Sequence, residues 1–134
     1  MADFLDVINQ WVEDTENRID ETLQTIVLKI GESVVTLSPV DTGRFKGNWQ
    51  LGIDQTTSSS LIRMDPDGFA TLSELAQKVN SFTAGQIAYI QNHVLYGYDL
   101  EYGSSTQAPD GVVRVTAQRF ARIVNEAAAL HREN

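Results

Sequence analysis

Apolar positions recur three and four residues apart through the first 37 residues. They are Phe4, Ile8, Trp11, Val12, Ile19, Leu23, Ile26, Val27, Ile30, Val34 and Leu37, with Thr15 on the same face. That spacing predicts one long amphipathic helix over residues 1–38. Asp3 and Asp6 suit its N-terminus, where acidic groups meet the positive end of the helix dipole. Gly31 is its weakest helix former. Ser38 precedes Pro39 and is pushed away from helical angles, so the helix stops there. A helix of this length spans about 50 Å, whereas a compact domain of this size is roughly 35–40 Å across. The helix must therefore bend near Gly31, or another molecule must cover its apolar first third. A second copy of the chain is the simplest cover.

The period changes after Arg44. Phe45, Gly47, Trp49, Leu51 and Ile53 alternate with Lys46, Asn48, Gln50 and Gly52, which predicts a half-buried strand. Gln55, Thr56, Thr57, Ser58, Ser59 and Ser60 form a polar stretch, read as a turn or as a loop that orders only on docking. Residues 60–65 suggest a short return strand, and 66–68 (PDG) a turn. Residues 69–82 carry Phe69, Leu72, Leu75, Ala76 and Val79 at helical spacing, with Thr71 and Glu74 placed for a capping box. Residues 86–94 predict a strand, central in its sheet. From Asp110, a candidate N-cap, a last helix runs to about His131 on an apolar face of Val113, Ala117, Phe120, Val124, Ala127 and Ala128. The fold class is α+β: a small antiparallel sheet (44–105, with the middle helix inserted) under a long N-terminal and a C-terminal helix. The 134 residues suit one domain.

Composition narrows the chemistry. There is no cysteine, and there are only two histidines, His93 and His131. Thiol nucleophiles and Cys-based metal sites are excluded, and no cofactor or metal site is expected. No apolar run reaches the roughly 18 residues of a membrane span, and the acidic N-terminus does not suit a signal peptide. The net charge of −8 opposes DNA wrapping. Charge is also uneven. Residues 1–21 hold seven acids against Arg18 alone, whereas residues 114–134 hold four arginines against Glu126 and Glu133. Phe4, Ile8 and Trp11 on one helix, with Arg119 and Arg122 on the other, are thus candidate subunit contacts for head-to-tail packing.

Two acidic groups raise the possibility of catalysis. Asp99 and Glu101 stand two apart among Tyr96, Tyr98 and Tyr102, a candidate acid/base pair. The competing reading has Glu101 paired with an arginine and the tyrosines closing the core with wet hydroxyls. Asp41-Thr42-Gly43 matches in three letters the nucleophilic motif of aspartic proteases, but no second copy occurs. Asp41 better suits a turn, accepting backbone N–H groups, with Gly43 allowing a positive φ. A lone histidine such as His93 beside a strand end suits a hydrogen-bonded rim position. No phosphate-binding glycine motif or serine-nucleophile elbow is present.

The stretch Ser38-Pro39-Val40-Asp41-Thr42-Gly43-Arg44-Phe45-Lys46-Gly47-Asn48-Trp49 resembles the signature of tailed-phage head–tail joining proteins. These are the gene-ten-like neck or tail-completion group, related to the lambdoid minor tail protein Z. A second block is similar too: Ala88-Tyr89-Ile90-Gln91-Asn92 to Tyr96, then Leu100-Glu101-Tyr102-Gly103, then Pro109 and a helix. Asp110-Gly111-Val112-Val113 replaces the aromatic-Leu segment usual after that proline. The resemblance implies a virion structural protein, made in the host cytoplasm and placed in the neck, with no catalysis and no cofactor. It implies a homo-oligomeric ring, six-fold or twelve-fold, bound to neighbouring neck or tail proteins. DNA would pass through the channel without sequence-specific binding, and no membrane is involved. Within such a subunit Pro39, Asp41, Gly43 and Trp49 would set the angle between helix and sheet. The alternative is a small aspartate-dependent hydrolase or protease built on Asp41 or on Asp99/Glu101.

Overall fold

A computed structural model describes residues 3–103 and 105–132; the first two positions of the expected N-terminal helix lie outside them. Helix α1 runs unbroken from Phe4 to Leu37, 34 residues. Its N-terminus is closed by a reciprocal cap: the Asp6 N–H donates to Asp3 Oδ1 at 2.8 Å and the Asp3 N–H to Asp6 Oδ2 at 3.3 Å. At the far end Ser38 turns extended, as a residue before proline must. The helix is not interrupted at Gly31. That glycine instead lets α2 approach, because a Cβ there would stand 3.0 Å from Leu75 Cδ1.

Beyond α1, strand β1 (Trp49–Ile53) pairs antiparallel with β2 (Ala88–Asn92), Trp49 opposite Asn92 and Ile53 opposite Ala88. Helix α2 (Phe69–Val79) lies between them in sequence. After β2 come the one-turn α3 (Gly97–Glu101), α4 (Val113–Gln118) and α5 (Phe120–Leu130). The α+β class with a long N-terminal helix, a small antiparallel sheet, a middle helix and a C-terminal helical segment is the architecture found. The core joins Val27, Val34 and Val35 of α1 to Trp49 and Leu51 of β1, and to Leu75 and Val79 of α2.

Several local expectations fail, each for a physical reason. The strand begins only at Trp49. Residues 46–48 form a 3-10 turn because the buried Asn48 folds its amide back onto the Arg44 carbonyl (2.5 Å). Residues 60–65 pair with no strand; their groups bond to the junction instead. Among the described residues the sheet has two strands, so β2 is an edge and not central. Helix α2 starts after Gly68, without the Thr71/Glu74 box. Thr71 is buried inside α2, and Glu74 pairs with Arg63. Phe69, expected in the core, is exposed. The C-terminal helix is two pieces meeting at Arg119, and Asp110 does not cap it. Its buried face is Val112, Thr116, Ile123 and Ala127. Of the expected face Ala127 alone is buried, and Val113, Ala117, Phe120 and Ala128 are exposed. Thr116 hides the true face from a hydrophobicity reading, since its hydroxyl is satisfied by the Val112 carbonyl at 2.8 Å and by Ser33 at 2.7 Å.

Candidate functional site

Three features of the fold are candidates for function. The first is the junction itself. The Ser38 hydroxyl donates to the Val34 carbonyl (2.5 Å) and accepts from the Trp49 indole N–H (2.7 Å), both in the interior. This ties the last turn of α1 to the first residue of β1. Trp49 is only 4% exposed, with Phe45 edge-on to it at 5.7 Å between ring centroids. Gly43 has φ +86°, and its carbonyl receives the N–H groups of Gly47 (2.9 Å) and Asp65 (3.0 Å). A Cβ on Gly43 would stand 2.5 Å from the Pro66 nitrogen, so glycine is required on both counts.

Asp41 does not hold this turn. Among the described residues no N–H reaches its carboxylate, and it lies exposed. Thr42 Oγ1 accepts from the Arg44 N–H instead (3.3 Å). The clamp on this segment is Gln107, whose side chain brackets Val40: the Val40 N–H donates to Oε1 (2.9 Å) and Nε2 donates to the Val40 carbonyl (3.1 Å). A groove of ≈ 350 Å³ opens here between residues 39–45 and Tyr96, Leu100 and Gln107. Beneath the junction, Asp65 is buried and its Oδ2 accepts from the Thr71 N–H (2.8 Å) and hydroxyl (2.7 Å). Burial pushes the Asp65 carboxyl up. The bonds from Thr71 outweigh this and hold it below its ordinary 3.8.

The second feature is Glu101, which closes the C-terminal segment onto the aromatic turn. Its Oε1 accepts the N–H groups of Val112 and Val113, each at 2.7 Å, and its Oε2 that of Arg114 at 2.9 Å. The Arg114 guanidinium adds a bond to Oε2 at 3.1 Å and packs over the Tyr102 ring, 4.7 Å from its centroid. Gly111, at φ +89°, permits this approach: a Cβ there would meet Glu101 Oε2 at 2.5 Å. Burial raises the Glu101 pKa, but the three backbone donors and Arg114 outweigh it, and the carboxyl lies below its ordinary 4.5. Glu101 is thus occupied as a cap and is not free as a base. Asp99, on the same short turn, is exposed. The pairing of Glu101 with an arginine is present, but Tyr98 and Tyr102 are mostly exposed and do not close the core.

The third feature is the free part of α1. Every residue from Asp3 to Asp14 is exposed, Phe4 at 79% and Trp11 at 58%. The rod is tied to the body at Asp20, whose Oδ1 accepts the Ala84 N–H (2.8 Å), and at Gln24, which donates to the Phe82 carbonyl (2.8 Å). Further along, Lys29 pairs with Glu126 at 3.4 Å, and Thr25 bonds His131 at 2.7 Å. Phe4, Ile8 and Trp11 therefore stand clear of the body. Arg119 and Arg122 do not stand clear in the same way. Arg119 donates to Ser33 Oγ at 3.4 Å, and Arg122 lies 3.7 Å from Glu126 one turn on.

The 55–60 loop is pinned at two points. Thr57 bonds Gln91 Oε1 (2.8 Å) and His93 Nε2 (2.7 Å), and the Ser59 carbonyl accepts from Gln50 (2.9 Å). His93 is thus the hydrogen-bonded rim residue its position suggests. The remaining loop residues, Gln55, Thr56, Ser58 and Ser60, are exposed.

Sequence reasoning misses Asp65, Gln107 and the capping role of Glu101, because each acts across a loop that sets no sequence period. Among the described residues no cluster of His, Cys, Asp and Glu could hold a metal ion, and no helix is long and apolar enough to cross a membrane. Compared with known proteins, the chain matches no family model, no curated protein and no solved structure.

Proposed function

We propose that this chain is a structural subunit of the tailed-phage neck, joining head to tail as one member of a ring around the DNA channel. The observation that carries this reading is the overhang of α1. Its apolar stripe, Phe4, Ile8, Trp11 and Val12, stays in water in the isolated chain. An exposed contiguous apolar stripe of this kind marks an association surface. The resemblance of residues 38–49 to the neck signature supplies the biological setting. The buried Ser38–Trp49 bond and the positive-φ Gly43 turn explain why a ring subunit would need those residues, since they fix the rod relative to the body. Arrangement in a ring, contact with adjacent neck or tail proteins and residence in the virion are parts of the same proposal.

The test is removal of the gene from the virus that encodes it. Full heads and separate tails that rejoin on adding the purified protein are the expected result. Normal numbers of joined, infectious particles without the protein would overturn the reading. No observation favours the hydrolase alternative, since Glu101 is engaged by four donors and Asp41 has no second motif to partner it.

A further inference from the structure

The assembly reading leaves open which surface receives the rod, and this inference rests on that reading. An apolar groove of ≈ 170 Å³ lies between α1, the sheet and the C-terminal helices. Val34 and Trp49 form its buried floor. Ile30 and Ile90 are its walls, and Val113 and Phe120 its exposed rim, each about half accessible. The rim is the helical ridge that carries apolar side chains yet faces away from the core. We infer that this groove receives the N-terminal third of α1 from a second copy of the chain, with Trp11 as the inserted side chain.

Several independent constraints select that occupant. A cavity of about 150 Å³ admits a benzene-sized ring, so the groove suits one aromatic anchor, and Trp is the side chain most enriched at such hot spots. The groove cannot take its own Trp11. Ile30, one of its walls, lies on the same unbroken helix roughly 28 Å further along.

Charge then separates the two ways a second copy can bind. Residues 3–17 hold five acids (Asp3, Asp6, Glu13, Asp14, Glu16) and no base. Two such stripes packed on each other would bring like charges together, which costs association energy. On the α4–α5 segment Arg114 is taken up by Glu101 and Arg122 by Glu126, whereas Arg119, among the described residues, meets only the Ser33 hydroxyl. None of the residues lining the groove is acidic, so an acidic rod meets no like charge there. Rod into groove is a heterologous contact, the kind that closes rings when the rotation closes.

The absence of cysteine makes the test clean. One preparation carries Ile8→Cys and another Ala117→Cys, both at exposed positions. A short bis-maleimide should cross-link the two when mixed and neither alone, and Trp11→Ala in the first chain should reduce the yield by about tenfold or more. High salt should reduce it as well. Thermal melts of each variant matching the parent establish that the fold is intact. Product from Ile8→Cys alone, or no product from the mixture at the highest attainable concentration, overturns the inference. Either result leaves the neck reading standing, because head–tail joining is scored on particles and can proceed through another face.

Discussion

Replacing Glu101 by Ala removes the one side chain that holds the start of α4. Three backbone N–H groups lose their acceptor, at 2.7, 2.7 and 2.9 Å, and Arg114 loses its partner at 3.1 Å. Val113 and Arg114 are exposed, so water takes over their N–H groups at modest cost. Val112 is 1% exposed, and its N–H becomes a buried orphan, worth about 1–3 kcal/mol. Loss of a capping side chain by itself costs about 0.5–2 kcal/mol. These terms overlap, and together they predict a loss of roughly 2–3 kcal/mol. The assay is urea unfolding followed by circular dichroism, with Asp99→Ala as control; that exposed neighbour should change stability by less than about 0.5 kcal/mol. The pH profile gives a second readout. Glu101 has a folded-state pKa lowered below its ordinary 4.5, so its stabilisation is complete above that value and fades as pH falls through the lower folded value. Glu101→Ala should therefore cost most near neutral pH and progressively less in acid. A loss under about 0.5 kcal/mol at neutral pH, or one that does not shrink in acid, would refute the assignment of Glu101 as the cap.

Gly43→Ala should cost at least about 2 kcal/mol in the same assay, because a positive φ and a close approach to the Asp65–Pro66 backbone are both violated; an unchanged midpoint would show that the turn relaxes. Trp49→Phe keeps most of the apolar area but loses the indole N–H bond to Ser38, and a loss of about 1–2 kcal/mol is expected from the hydrogen bond and the smaller ring. Asp65→Asn keeps the shape but weakens the bonds from Thr71, so about 1–2 kcal/mol should disappear at neutral pH, and with it the part of the acid sensitivity that comes from the lowered Asp65 pKa. Asp41→Asn should leave the unfolding midpoint unchanged within about 0.5 kcal/mol, since no described donor meets that carboxylate.

The parts of the fold that are legible in the sequence are those governed by a local period or a local steric rule. The long helix repeats its apolar face over many turns, and Pro39 stops it through the residue before it. Gly43 announces a positive φ, and β1 and β2 carry β-branched and aromatic residues between turn formers. The misread segments are those where a polar side chain does the work of a backbone partner. Asn48 curls residues 45–48 into a turn although Phe45, Gly47 and Trp49 alternate. Arg63 and Asp65 tie residues 60–65 to the junction, where the sequence suggested a short return strand. Thr116 sits in the core face of α4 because Ser33 and the Val112 carbonyl satisfy its hydroxyl, and this displaces the apparent apolar face outward. Of the candidate sites, the rod contacts are visible as periodicity outlasting the domain, whereas the groove is assembled from five separate elements and has no sequence signature.

The mismatch between rod and body also bears on how the chain would associate. A helix of about a dozen residues alone in water is marginal, because nucleating the first turn is unfavourable. Residues 4–14 avoid that cost, since the turns from Asp20 onward are fixed by packing and bonds to the body, and the helix only has to propagate backwards from there. The Asp3–Asp6 cap and the Gln10–Asp14 bond at 3.0 Å close the free end without any tertiary contact. The stripe is thus presented already folded, and docking does not have to supply the ordering free energy that a disordered segment would require. The junction extends the same logic. Because Ser38, Trp49 and Gly43 fix the rod against the sheet, and the groove is built partly on α1 itself, a single rigid connection would set both the direction of the outgoing rod and the position of an incoming one in the proposed assembly. In the proposed ring, each subunit would carry in its own fold the rotation relating it to the next copy, and loosening the junction would disturb assembly even where every contact residue is retained.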